Sequence, residues 1–224
     1  MGKSTLAQML WQLAGGMGTS IQIFAVTLIF SLPLGLLVAV GRMSKNPIIR
    51  NLVKLYISVM RGTPLMLQLM VVYFGPYYIF GLRMGSGYRL WATLIGFVIN
   101  YAAYFAEIYR SGIQSMPLGQ YEAAKILGYG RGQTFFLIIL PQVVKRILPS
   151  VTNEVITLVK DTSLARAIAL QEVIWAAESF MKGNQGISGL WWPLMFTAVY
   201  YLAFSAIVTM VLGRLEKKLD YFRV

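Results

Sequence analysis

Residues 21–40 read Ile-Gln-Ile-Phe-Ala-Val-Thr-Leu-Ile-Phe-Ser-Leu-Pro-Leu-Gly-Leu-Leu-Val-Ala-Val, without one charged side chain. A helix needs about 20 apolar residues to cross the hydrocarbon of a bilayer, so this stretch reads as a transmembrane span. Three more runs have the same character. Residues 62–82 follow a helical lead-in that starts near residue 51, and residues 90–106 lead into Glu107 and Arg110. Residues 187–213 form the longest run and hold Trp191, Trp192, Tyr200 and Tyr201. The two tryptophans suit the aromatic belt at a membrane interface.

Residues 135–170 are mostly apolar too, but Lys145, Arg146, Glu154, Lys160, Asp161 and Arg166 interrupt them. Pro141 and Pro149 remove helix hydrogen bonds as well. Charge and irregular backbone at membrane depth are tolerated where protein shields them from lipid. This segment is therefore expected to be a broken fourth span, hidden inside the protein. The expected fold is an all-α integral membrane protein of about five helices in a single domain over residues 1–224. The spans fall near 19–41, 52–81, 89–110, 134–170 and 190–213, with a loop at 111–133.

Composition agrees. Of the 224 residues, 57% are hydrophobic and only 12% charged, about half the charged share of a soluble chain. The net charge is +12, but the cations sit between apolar runs, which is the positive-inside pattern rather than a nucleic-acid surface. The chain has no Cys and no His, so disulfides, thiolate or imidazole metal sites, and Ser/His or Cys/His catalysis are excluded. No catalytic or metal-binding residue is expected. Lys3 precedes no compact apolar core, so the N-terminus does not read as a cleavable signal peptide. Gly2-Lys3-Ser4 imitates the end of a phosphate-binding loop but lacks its upstream Gly and strand.

The cations also orient the chain. Arg42, Lys45, Arg50 and Lys54 fall on one side, with Arg110, Lys125 and Arg131. The tail cations Arg214, Lys217, Lys218 and Arg223 join them. Lys3, Arg83, Arg89 and Lys182 fall on the other. The richer side is cytoplasmic, which puts the N-terminus outside, the C-terminus inside, and the loop 111–133 in the cytoplasm.

That loop reads Gly119-Gln-Tyr-Glu122-Ala123-Ala124-Lys-Ile-Leu-Gly128 and continues to Ile138-Ile-Leu140-Pro141. A short helix over 122–127 would end at Gly128 in the left-handed conformation. Ala123 and Ala124 would give it a small flat face, and Glu122 would place a carboxylate near its N-terminus. The spacing of Glu-Ala-Ala, Gly, Ile and Leu-Pro resembles the EAA loop of permease subunits in ATP-binding-cassette importers. Three further stretches resemble the subfamily that imports polar amino acids: Arg61-Gly-Thr-Pro64-Leu, Ala106-Glu107-Ile-Tyr-Arg110-Ser-Gly112-Ile, and Asn153-Glu154-Val-Ile-Thr157-Leu-Val-Lys160-Asp161-Thr162-Ser163-Leu164.

The resemblance implies a type I importer permease in a bacterial cytoplasmic membrane. It implies that Glu122, Ala123, Ala124 and Gly128 couple the spans to a separate ATPase that binds ATP and magnesium. It also implies two ATPase subunits, a second permease copy or a sister permease, an external amino-acid-binding protein, and alternating access.

Transporter sites favour helices interrupted by Gly or Pro near the midplane, which points to residues 61–64 and to the fourth span. Glu154 and Asp161 are seven residues apart, so they share a helix face with Thr157 between them. They would attract an ammonium or a cationic side chain, with Asn100 supplying a hydrogen bond. Each has a bland alternative. Asp161 could neutralise Lys160 or Arg166, Asn100 could join two helices, and Arg61 could support the broken backbone or snorkel to the inner interface. Glu107 and Arg110 read as structural. An ion-coupled transporter or channel is the competing function, and a membrane-embedded enzyme resting on Glu154 and Asp161 is a more distant one.

Overall fold

A computed structural model of the chain describes residues 3–85, 87–183 and 191–219. It is helical throughout, with α1 (Lys3–Arg42), α2 (Pro47–Gly62), α3 (Leu65–Phe80), α4 (Tyr88–Gln114) and α5 (Leu118–Ile126). The short α6 (Arg131–Gln133) runs through a π-helical stretch, Thr134–Ile139, into α7 (Leu140–Asp161) and a 3₁₀ turn, Thr162–Ile168. Then come α8 (Val173–Gly183) and α9 (Trp191–Leu219). Among the described residues, four helices are long and apolar enough to cross a membrane, and α2 with α3 make a fifth span if counted together. Residues 187–190 of the last apolar run, and Arg223 of the tail, lie outside the described residues.

Several expectations need correction. The first helix does not wait for residue 19 but begins at Lys3. Gln8, Gln12 and the glycines mask the periodicity there, yet Met9, Leu13 and Met17 recur every four residues and are almost wholly buried. They pack on Val173, Ala176 and Ala177 of α8, a helix not anticipated from the sequence. The second span is no straight rod, because α2 and α3 meet at 107° across Thr63-Pro64. Pro64 has no N–H to continue α2 and forces Thr63 into an extended conformation, φ −121° and ψ 148°.

The fourth span is less covered than α4. Within this chain only 17% of its apolar window is buried, against 61% for α4. Small residues decide this. Ala92, Gly96, Ala102, Ala103, Ala106 and Gly112 let neighbouring helices close on α4. A Cβ on Gly35 of α1 would sit 2.8 Å from Phe105 Cβ. Nor do the prolines break the fourth span. Pro141 falls in the first turn of α7, and the π-helical turn before it absorbs the change of register. Pro149 lies inside α7 without ending it.

Candidate functional site

The break between α2 and α3 lies opposite the midpoint of α4. Asn100 is 3% exposed, and its Nδ2 donates to the Met60 carbonyl at 3.0 Å and to Gln68 Oε1 at 2.9 Å. Gln68 Nε2 donates in turn to the Met60 carbonyl (2.9 Å), the Thr63 carbonyl (3.1 Å) and Thr63 Oγ1 (2.8 Å). Two side-chain amides thus serve carbonyls that the helix break would leave bare. This is the helix-joining arrangement, and the donor groups of Asn100 are already engaged in it.

At the next residue along, α7 brings its acids to α4. The Tyr101 hydroxyl donates to Asp161 Oδ2 at 2.7 Å. Glu154 lies seven residues before Asp161, on the same face of α7. Thr157 donates its hydroxyl proton to the Asn153 carbonyl at 2.9 Å. Arg166 does not neutralise Asp161. It pairs with Glu178 of α8, where the Arg166 Nε–Oε2 distance is 3.0 Å. Glu154 has no ion pair or hydrogen bond among the described residues and feels Arg61 and Asp161 only at longer range.

Glu107 and Arg110 behave as expected of structural residues. Their carboxylate and guanidinium are joined at 3.0 and 3.1 Å through Nε, and Arg42 approaches Glu107 at 3.9 Å.

Tyr101 and Gln68 were not singled out from the sequence. A tyrosine beside Asn100 in mid-span, and a glutamine four residues past Pro64, carry the available signal: each must find a partner where no water competes. Glu172 was missed too. It is fully buried at the head of α8, where its carboxylate accepts from the Ile174 and Trp175 amides, both at 2.8 Å. It lies outside the spans, and burial pushes its carboxyl above the ordinary range although these amides oppose the shift. A notch of about 260 Å³ between α1 and α8, lined by Gln12, Gly16, Gln171 and Trp175 among others, holds none of the cluster residues.

At the other end of α4, α5 presents the loop motif. Gly128 adopts φ 79°, which only glycine takes without strain. Tyr129 N–H returns to the Ala124 carbonyl (3.0 Å) and Gly128 N–H to Lys125 (3.1 Å), a Schellman ending. The expected flat face of two alanines is corrected. Ala124 is 1% exposed and packs against its own protein, whereas Glu122 and Ala123 face outward. Adjacent residues on a helix diverge by about 100° and cannot share a narrow face. The outward surface is apolar instead: Leu118, Ile126 and Leu127 are 76%, 86% and 73% exposed. Behind it, Met116, Ile139 and Val143 form a small core that Tyr121 joins.

A lattice of spans with a polar cluster at mid-depth, and an exposed helix at one end, describes a component of a membrane transport machine. Residues 31–221 match the family described as binding-protein-dependent transport system inner membrane component, and the chain belongs to that family. It is 38% identical to a probable amino-acid ABC transporter permease protein, YckA, of Bacillus subtilis (strain 168), over 92% of this chain and 88% of that one. It is 34% identical to the arginine transport system permease protein ArtQ of the same organism, over 91% of this chain and 90% of the other. Its fold matches a crystal structure of an amino acid ABC transporter with histidines at a TM-score of 0.86 and 27% identity, covering 97% of this chain and 99% of that one. The fold is that of a type I ABC permease, and family membership decides against the ion-coupled transporter and the embedded enzyme.

Proposed function

We propose that this amino-acid ABC importer permease carries a cationic or neutral polar amino acid past the α4–α7 cluster, where Glu154 and Asp161 attract its ammonium or a cationic side chain. The observation that carries the reading is the Tyr101 hydroxyl bonded to Asp161 Oδ2 at 2.7 Å in the middle of a transmembrane helix, with Glu154 seven residues earlier on the same face of α7. Acids at that depth are costly unless they meet a cation or a cavity. Thr157 lies between the two acids and offers lone pairs. Asn100 holds the α2–α3 corner at the same level, one residue from Tyr101.

Movement is driven from outside the chain. Glu122, Ala123 and the apolar surface of α5 fit a groove on a cytoplasmic ATPase, while Ala124 and Gly128 hold the helix in shape. Two ATPase subunits bind ATP and magnesium, and a second permease, identical or sister, completes the pathway. An external binding protein delivers the amino acid. The charge pattern supports an outside N-terminus and a cytoplasmic C-terminus in a bacterial cytoplasmic membrane, and alternating access is the mechanism such a dimer performs.

The test uses proteoliposomes holding the permease with its ATPase and binding protein. Uptake of labelled arginine, lysine, histidine and glutamine is followed for the unmodified chain, for Glu122→Lys, and for Glu154→Gln and Asp161→Asn. ATP-dependent uptake that collapses in Glu122→Lys, and falls at least tenfold in either acid variant, supports the reading. Uptake that ignores both acids removes them from the substrate path.

A further inference from the structure

An amphipathic helix on a protein surface usually has two faces, but α2 has three. Val53, Ile57 and Met60 turn inward against Ala39 of α1 and Ala103 and Ala106 of α4. Ile48, Leu52, Leu55 and Val59 form a second row, spaced four, three and four residues apart, and are between 46% and 69% exposed. Arg50 and Lys54, one turn apart and both exposed, form a third row, and the exposed Lys45 stands two residues before the helix. Arg61 continues the basic row, but its guanidinium leans over the Tyr104 ring, 5.2 Å from the centroid.

Contacts fix the depth of these rows. A Cβ on Gly41 would lie 3.1 Å from Val53 Cγ2 and 3.8 Å from Ile49 Cγ2. Residues 49–53 therefore stand level with the end of the uncharged run 21–40, at the border of the hydrocarbon. At the far end of α2 the Met60 carbonyl accepts from Asn100 at the midpoint of α4, at 3.0 Å. Sixteen residues of helix, about 24 Å, thus cover the depth of one leaflet. Lys45, Arg50 and Lys54 sit at its headgroups, which long basic side chains can reach, and Leu52, Leu55 and Val59 run along its acyl chains.

No acid serves these three cations. The chain carries no Asp or Glu before Glu107, and Glu107 is held by Arg110 at 2.6 Å and approached by Arg42 at 3.9 Å. Lys45, Arg50 and Lys54 make no ion pair among the described residues. Unpaired cations at the rim of an exposed apolar row match a molecule with an anionic head and hydrocarbon tails. A zwitterionic lipid brings its own ammonium to the same cations, whereas an anionic lipid brings none. A second copy of this chain fits less well, because a two-fold axis at α2 would set the same cations against each other.

We propose that α2 holds one anionic phospholipid, its phosphate on Lys45, Arg50 and Lys54 and its acyl chains along Leu52, Leu55 and Val59. In the orientation proposed above, this is a lipid of the inner leaflet. The permease is then tied to anionic membranes at one place on α2, rather than by its basic surface as a whole. The site is independent of the proposed substrate path.

The chain has no Cys, so Val59→Cys carries a single fluorophore, attached before the permease is assembled with its ATPase. The complex is placed in vesicles of phosphatidylglycerol and phosphatidylethanolamine, with one lipid or the other brominated at mid-chain, and quenching gives their relative affinity. Ile207→Cys is the control: Ile207 is 55% exposed on α9, seven residues before Arg214, which with Lys217 and Lys218 makes another basic end. At Val59, phosphatidylglycerol should bind at least fivefold more tightly, which is about 1 kcal/mol. At Ile207 the preference should stay below twofold. Lys45→Gln, Arg50→Gln and Lys54→Gln together should bring the Val59 preference below twofold, and Arg50→Lys alone should keep it.

A preference below twofold at Val59, an equal preference at Ile207, or one that survives the triple change overturns the inference. So does a Val59 label that neither brominated lipid quenches, because protein then covers the row. Should the triple variant not assemble, the comparison of Val59 with Ile207 still decides.

Discussion

Gly112→Ala tests how α5 is tied to the spans. A Cβ at Gly112 would lie 2.1 Å from Ile147 Cγ2 and 3.3 Å from Val143 Cγ1. Carbon atoms prefer about 3.5–4.0 Å, so α4 and α7 must part by roughly 1.5 Å. Ile147 cannot swing clear cheaply, because Cγ2 sits on a branched Cβ with one favoured rotamer in a helix. Overpacking of this kind costs about 1–3 kcal/mol, and replacing a helical glycine by alanine returns about 1 kcal/mol. The net loss is about 1 kcal/mol, which lowers the melting temperature of a chain of this size by roughly 2–4 °C.

The functional effect should be larger. Met116 and Tyr121 share a small core with Ile139 and Val143, so parting the helices shifts the seat of α5. Thermal unfolding in detergent and the ATP consumed per amino acid transported in proteoliposomes are the two readouts. Gly112→Ala should raise that consumption at least threefold. Adding Ile147→Ala should recover coupling and destabilise by less than the sum of the single changes, because the new methyl fills the vacated space. A melting temperature within 1 °C of the original with coupling intact, or strict additivity in the pair, would refute the reasoning.

Three other outcomes are expected. Ile126→Glu places a charge on the outward face of α5, where Ile126 is 86% exposed; it should abolish ATP-driven uptake more than tenfold and leave the melting temperature within about 1 °C, as surface changes do. Asn100→Ala removes donors to Met60 and Gln68 and should cost about 1 kcal/mol; adding Gln68→Leu should cost little more, since both residues serve one network, and double-mutant melting curves check this. Burial holds the Glu172 carboxyl above its ordinary range, so the folded state binds that proton more tightly than the unfolded state does. Stability from this group is then greatest below the unfolded value of about 4.3, declines as pH rises towards the raised folded value, and is flat beyond it. Glu172→Gln should flatten that decline in melting temperature between pH 4 and 8, so that its cost, about 1 kcal/mol for one lost amide bond at the acid end, shrinks as pH rises.

The parts of this fold legible in the sequence follow from the solvent. Long uncharged runs must be helices in lipid, because no other single segment satisfies its own backbone; hence residues 21–40 and 90–106 could be placed without a structure. Gly128 was legible because a left-handed turn has few possible occupants. Harder to read was what a helix packs against. The N-terminal part of α1 looks too polar for a span, and packing on α8 and α9 explains its buried Met9, Leu13 and Met17. The fourth span looked broken because proline removes hydrogen bonds, but a π-helical turn at Thr134–Ile139 accommodates Pro141. At the site, residue types alone could not tell which polar groups satisfy each other. Asp161 had Lys160 and Arg166 as neighbours in sequence, yet its hydrogen bond comes from Tyr101, on another helix.

Continuity of α7 gives the proposed importer its mechanical link. The same helix carries Val143 and Ile147 in contact with the α4 end that leads to α5, and Glu154 and Asp161 at the polar cluster. Val143 and Asp161 are 18 residues apart, about 27 Å along a helix axis. A tilt imposed at the α5 end is delivered to the acids undiminished if α7 stays rigid, and Pro149 is the one place inside it where a hydrogen-bond rung is missing. The acids would then move against Tyr101 and Arg61, which α4 and the braced α2–α3 corner hold still. Small residues along α4 matter for the same reason: the most buried of the spans is the fixed frame against which the more exposed α7 can shift.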